Sequence, residues 1–264
     1  MKSAALLFGI ALASPAAADA LLDQALANGG AYAASDWAYY STMKVWTGGS
    51  TVVGDFFDRA ETGQRDRPPL RETRVVAYDP SKPAALRTRV VRESGDGPVK
   101  VQGKNGDGDS GDERDKPEEF PAYSEIRGLM DGPATLASQT AATATYRFKV
   151  DPKKVRKFGS ADIDIDSDTP LPSLAGRLVV RKTGPGAPYV QSVVVALPTG
   201  TRGRGNAAGK VKQLSMGLSF APDPVKGVKL LRALGIDTSL QGLGLVTVDF
   251  SVLNKIEGYR YVGK

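Results

Sequence analysis

Thr143-Ala144-Thr145-Tyr146-Arg147-Phe148-Lys149-Val150 carries the clearest pattern in the chain. Ala144, Tyr146, Phe148 and Val150 alternate with Thr143, Thr145, Arg147 and Lys149. A period of two is the mark of a strand with one face in the core and one in water. The same alternation recurs on either side. Lys210–Phe220 sets Lys212, Leu214, Met216, Leu218 and Phe220 against Val211, Gln213, Ser215, Gly217 and Ser219. Leu245–Tyr261 sets Val246, Val248, Phe250 and Val252 against Thr247, Asp249 and Ser251. In Ala85–Glu93, Leu86, Thr88 and Val90 alternate with Arg87, Arg89 and Val91.

Turn residues group these runs into hairpins. Gly48-Gly49 would fold Trp37–Thr47 back onto Thr51–Arg59, and Asp79-Pro-Ser-Lys-Pro83 would join Glu72–Tyr78 to Ala85–Glu93. Thr183-Gly-Pro-Gly-Ala-Pro188 would join Leu174–Lys182 to Tyr189–Leu197. Helical spacing is confined to Leu21–Ala34, two short pieces within Phe120–Ser138, and Val225–Leu234, which would stop at Gly235. The expected fold is mainly β. A single curved antiparallel sheet of nine or ten strands, an open half-barrel, would hold a few short helices on its concave side. No composition shift marks a second domain within 21–264.

The N-terminus has the layout of a secretory signal peptide: Lys2, an apolar run over Ala4–Ala13, a break at Ser14-Pro15, then small residues through Ala20. Cleavage is expected after Ala18 or Ala20. The run is about half the roughly 20 residues a spanning helix needs. A periplasmic protein follows, with secretion as the alternative.

Cysteine and histidine are both absent. Their absence removes disulfides, thiol nucleophiles, imidazole general bases and the usual zinc or copper ligands. A Ser-His-Asp triad is impossible. No cofactor motif is present, and none is expected. The net charge is +6. Residues 94–119 hold eight acidic and four basic side chains, a net of −4, so the rest of the chain carries +10. This Gly-rich acidic stretch reads as a flexible loop, because it holds too little apolar surface to offset its ordering entropy. Within it, Asn105-Gly-Asp107-Gly-Asp109-Ser-Gly-Asp112 approaches a calcium loop. It departs from that pattern where Ser110 replaces the glycine and Lys116 the bidentate glutamate. Pro152-Lys-Lys-Val-Arg-Lys-Phe158 is a basic cluster. Asp162, Asp164 and Asp166 alternate with Ile163 and Ile165, as on one strand face or an aggregation-resistant edge.

Leu174-Ala-Gly-Arg-Leu-Val-Val-Arg-Lys-Thr-Gly-Pro-Gly-Ala-Pro-Tyr-Val190 resembles a hairpin of the periplasmic lipoprotein-carrier (LolA/LolB-like) half-barrel superfamily. In that superfamily a Gly-x-Leu-x-Val-x-Lys strand turns through a Gly/Pro stretch into a second strand. The order of signal peptide, short helix, strands, lid helices and further strands is also similar. The resemblance implies a concave apolar face that holds lipid or acyl chains. It fixes no individual site residue, and the acidic loop departs from it.

The expected function is non-catalytic: binding or carriage of a lipid, a lipidated protein or another amphiphile. An open sheet exposes an apolar concavity suited to such ligands. Candidate lining residues are Trp46, Tyr146, Phe148, Leu178, Leu214, Met216, Leu218 and Phe250, each equally able to serve as ordinary core. Further expected partners are an anionic membrane surface or envelope proteins, since a basic body favours anionic surfaces. Export leaves nucleic acid outside the set. An envelope scaffold is the alternative reading. A carboxylate hydrolase would need paired acids, for which Asp162, Asp164 and Asp249 are the candidates.

Overall fold

The computed structural model describes residues 15–47, 70–95, 121–150, 174–196, 209–242 and 247–263. Helix α1 (Pro15–Ala27) leads into β1 (Trp37–Thr47) and β2 (Leu70–Tyr78). A helical turn, α2 (Ala84–Arg87), precedes β3 (Thr88–Gly95). A 3-10 segment (Tyr123–Leu129) then leads to β4 (Thr135–Gln139), β5 (Thr143–Val150), β6 (Leu174–Arg181) and β7 (Tyr189–Ala196). Three long strands finish the chain: β8 (Gly209–Pro222), β9 (Lys229–Gly242) and β10 (Thr247–Tyr261). All ten strands form one open antiparallel sheet in the order β3-β2-β1-β10-β9-β8-β7-β6-β5-β4. It is the expected fold class: a single curved sheet with few short helices. Bulges interrupt several ladders, including β6–β7 and β8–β9. Each adds local twist and bends the strand that carries it.

Sequence neighbours are spatial neighbours except in two places. Strands β1 and β10 lie side by side, third and fourth from the β3 edge, and β3 and β4, consecutive in the chain, occupy opposite edges. The connection from β3 to β4 therefore crosses the sheet, and its 3-10 segment lies over one face. Ile126 and Leu129 of that segment are fully buried with Leu22 and Ala25 of α1. Both elements pack on the face that carries Tyr146, Leu178 and Leu218.

Several local expectations change. Val225–Leu234 is not a helix. Asp223 accepts the N–H groups of Val225 (2.9 Å) and Lys226 (2.7 Å) on its Oδ2. Gly227, at φ 71°, returns its N–H to the Asp223 carbonyl. That tight turn launches β9, whose Lys-Leu-Leu-Arg-Ala-Leu-Gly-Ile run is apolar because both of its faces are covered. A continuous apolar run cannot be told from a helix by periodicity. The second helical piece within Phe120–Ser138 is instead edge strand β4, paired to β5. Ala85–Arg87 is a helical turn rather than strand, closed by the Leu86 N–H on the Pro83 carbonyl and the Asp79 N–H on the Arg87 carbonyl. Helix α1 ends at Ala27, short of Ala34. There the Asn28 amide donates to the Gly186 and Pro188 carbonyls, and Gly29 accepts the Lys229 N–H. Both edges of β1 are taken, by β10 and β2. Its expected partner Thr51–Arg59 lies outside the described residues, as do the calcium-like stretch, the basic cluster at 152–158 and Asp162, Asp164 and Asp166. Helix α1 runs through both expected cleavage positions, and a cut after Ala20 retains its buried residues Leu22 and Ala25.

Phe148 shows how tightly the face is packed. Its direct partner on β6 is Gly176, and the phenyl ring lies over that glycine. A Cβ there would sit 2.3 Å from the ring. Gly176→Ala therefore has to displace Phe148, and the expected cost is about 1–3 kcal/mol. A lower denaturant midpoint at unchanged slope checks it.

Candidate functional site

Residues directly opposite in a ladder share a face, so register turns sequence positions into rows across the sheet. One row runs Tyr146, Leu178, Val193, Leu218 and Leu234 from β5 to β9. The next runs Phe148, Gly176, Val195, Met216 and Ile236. Leu214 follows one step along β8, opposite Thr238, which in turn faces Phe250. The register thus brings seven of the eight expected lining residues onto one face. Of these, Phe250 is placed by its backbone alone. Trp46 is the exception. It pairs with Ser251 and lies on the opposite face, in a separate cluster with Ala233 and Leu253. The stretch Val45-Trp46 is apolar on both sides of the strand, so alternation could not assign it.

The apolar rows are covered by α1 and the 3-10 segment. Tyr146 and Leu178 have no exposed surface, and Leu218 has 1%. The cover is fixed through Tyr123. Its hydroxyl donates to the Ala25 carbonyl of α1 at 2.7 Å and accepts the Val190 N–H of β7 at 2.6 Å. Its ring stands edge-on against Phe220 of β8, with centroids 5.3 Å apart. Burial pushes the phenol up to about 12 from its ordinary 10.0. Further polar ties are the Asn28 amide, the Asp131 N–H on the Lys149 carbonyl of β5 at 2.8 Å beside a Met130–Val150 bridge, and a solvent-exposed ion pair between Arg127 and Asp23. Exposed pairs of that kind contribute little.

A second cluster closes the end of the sheet where β1 begins and β10 finishes. Trp37 meets Tyr259 and Tyr261 edge-on, and Tyr39 packs between Tyr78 and Tyr259. The Tyr259 hydroxyl donates to the Leu231 carbonyl at 2.8 Å, and Arg232 stacks over its ring. Burial raises the pKa values of Tyr259, Tyr32 and Tyr78. Nearby, Lys229 is 4% exposed and donates to the Gly227 carbonyl at 2.7 Å. Its burial lowers its pKa.

The face bearing Trp46 has two halves. Over β9 and β10 it is covered, and there Asp237 stands in one row between Ser215 and Ser251. Asp237 is 2% exposed and Ser251 1%. Over β5 and β6 it is open and carries Arg147, Lys149, Arg177 and Arg181. Of the expected hydrolase acids, only Asp249 lies among the described residues, half-exposed on β10. Among the described residues no three acidic side chains gather as metal ligands, and no helix is long and apolar enough to cross a membrane.

Sequence reasoning missed Tyr123 and Asp237. The first is a lone tyrosine in an aperiodic segment, and the second acquires its neighbours only through register. The aromatic cluster was signalled by Trp37-Ala-Tyr39 and Tyr259-Arg-Tyr261. Comparison with protein-family models, with curated proteins and with solved structures finds no match.

Tyr123 generates a test of the cover. Tyr123→Phe leaves the buried Val190 N–H without its partner and takes one of two donors from the Ala25 carbonyl, and a loss on the order of 1–3 kcal/mol is expected. Because the folded phenol ionises at about 12 and the unfolded one at 10.0, its contribution is complete below pH 10 and is lost as pH rises toward 12. Unfolding free energies measured across that interval should fall less steeply for Tyr123→Phe than for the parent protein.

Proposed function

We propose that the protein is a non-catalytic carrier or binding protein for a lipid, a lipidated protein or another amphiphile, acting in the periplasm after export. The observation that supports this reading is an unclosed sheet whose apolar rows are roofed by two short elements. That roof is tied down by the Tyr123 hydroxyl, the Asn28 amide and a few backbone bonds at its ends. Each large side chain on that face gains about 1.5–3 kcal/mol from being kept out of water. An acyl chain satisfies the same requirement as the roof does. Displacing α1 and the 3-10 segment would exchange one apolar cover for another. The likeness of Leu174–Val190 to a carrier hairpin points the same way.

A second reading, an envelope scaffold, draws on the β3 edge. Val90 is 44% and Val91 49% exposed there, on a strand whose outer side has no partner among the described residues. Such an edge accepts an added strand from another protein.

Two measurements separate them. Solvent extraction of the purified protein followed by mass spectrometry should release an amphiphile, and Tyr123→Phe should speed uptake of a fluorescent fatty acid. An extract free of amphiphile, with no saturable uptake, removes the carrier reading. A stoichiometric envelope protein recovered with the parent chain but lost with Val90→Lys/Val91→Lys would establish the scaffold instead.

A further inference from the structure

Turn tips ordinarily carry Gly, Pro, Asn, Asp or Ser. At the end of the sheet where β1 begins, two connections carry large bare apolar side chains instead. Leu86, between β2 and β3, is 65% exposed. Val225, between β8 and β9, is 85% exposed. They are the two most exposed large hydrophobic side chains among the described residues. Neither supports the core, so folding alone does not account for them. Both tips project from the same end, because β2 finishes and β9 starts beside the finish of β10. Four strand spacings separate them, roughly 19 Å in a flat sheet.

Cations surround the tips. Lys82 shares the connection of Leu86, and Lys226 follows Val225; both are exposed. Lys226 Nζ lies 4.0 Å over the ring of Tyr261, which is itself 37% exposed. Among the described residues, the acids next to the tips are engaged within the fold, and the exposed Glu257 lies further back along β10, opposite Tyr40. Asp79 pairs with Arg260 at 3.0 Å, and Asp223 is buried with its carboxylate on the turn amides. Asp36 is half-buried at the start of β1.

Apolar tips flanked by lysines and a tyrosine match the chemistry of a bilayer boundary, where acyl chains lie beneath headgroup charge. We infer that this end of the sheet docks on a lipid bilayer bearing anionic phosphate headgroups. Leu86 and Val225 enter the acyl boundary, while Lys82 and Lys226 rest at phosphate level. Docking needs no occupant on the helix-covered face, so it stands or falls apart from the carrier reading.

Flotation with phosphatidylcholine vesicles, with and without phosphatidylglycerol, tests this. The parent chain should bind only the phosphatidylglycerol vesicles, more weakly as salt rises. Removing one cation should weaken binding about fivefold, so Lys82→Gln/Lys226→Gln should lose about 25-fold. Leu86→Ser/Val225→Ser should lose about tenfold or more. All four positions are exposed, so thermal midpoints should not move. The native tryptophans are both buried, so Val225→Trp reports the tip alone. Its emission should shift to the blue on phosphatidylglycerol vesicles. Equal binding to both vesicle types, or no blue shift, overturns the inference. So does binding that tracks the lysines while Leu86→Ser/Val225→Ser leaves it intact, an outcome that identifies an acidic macromolecule instead.

Discussion

The apolar face shared by β5 to β9 must be kept from water, and most other features answer that requirement. A single antiparallel sheet has only one partner for such a face: whatever the rest of the chain can lay over it. Here the material is slight, one helix of 13 residues and a 3-10 segment of seven. Neither would hold a helical conformation alone in water. Their order comes from what they cover. The crossing between β3 and β4 is therefore a structural necessity as well as a connection, since it delivers Ile126 and Leu129 to the middle of the sheet.

Polar groups at the cover are matched closely. The Tyr123 hydroxyl bonds a carbonyl at the end of α1 and an amide beside the bulge between β6 and β7. Asn28 does the same for two carbonyls of the β6–β7 turn. At the far end, aromatic rings take over the sealing. Tyr259 bridges two apolar clusters while its hydroxyl reaches a backbone carbonyl. Rings suit this position, since each brings a wide apolar surface and a polar tip.

The sheet was legible in the sequence where an apolar face alternates with a wet one, but not at the short, largely exposed edge strand β4, whose spacing reads as helical. Thr143–Val150 reads correctly to the residue, and Leu174–Arg181 and Tyr189–Ala196 to within one. Legibility failed where both faces are covered. Leu230, Leu231, Ala233 and Leu234 present a run that a buried helix would share, and only the Asp223 turn resolves it. Seven of the eight candidate lining residues fell on one face because period-two patterns fix sidedness within a strand. Trp46 fell on the other because sidedness between strands depends on register, which alternation does not contain. Tyr123 and Asp237 belong to the same class. Their importance arises from partners 98 residues away in the one case and from neighbouring strands in the other.

The adjacency of β1 and β10 has a kinetic consequence. Met43 sits opposite Asn254, so an interior seam of the sheet joins the first and last strands of the chain. Strands β4 to β10 can pair in chain order, each with the strand before it. The first strand can pair with β2 at once, but its other edge must wait, because β10 is the last strand to be made. Closing so long a loop places this pairing among the slow, high-contact-order events. Any chain cut short before β10 is left with two half-sheets and an unsatisfied edge on β1, a state from which proteolysis or aggregation is the ready exit.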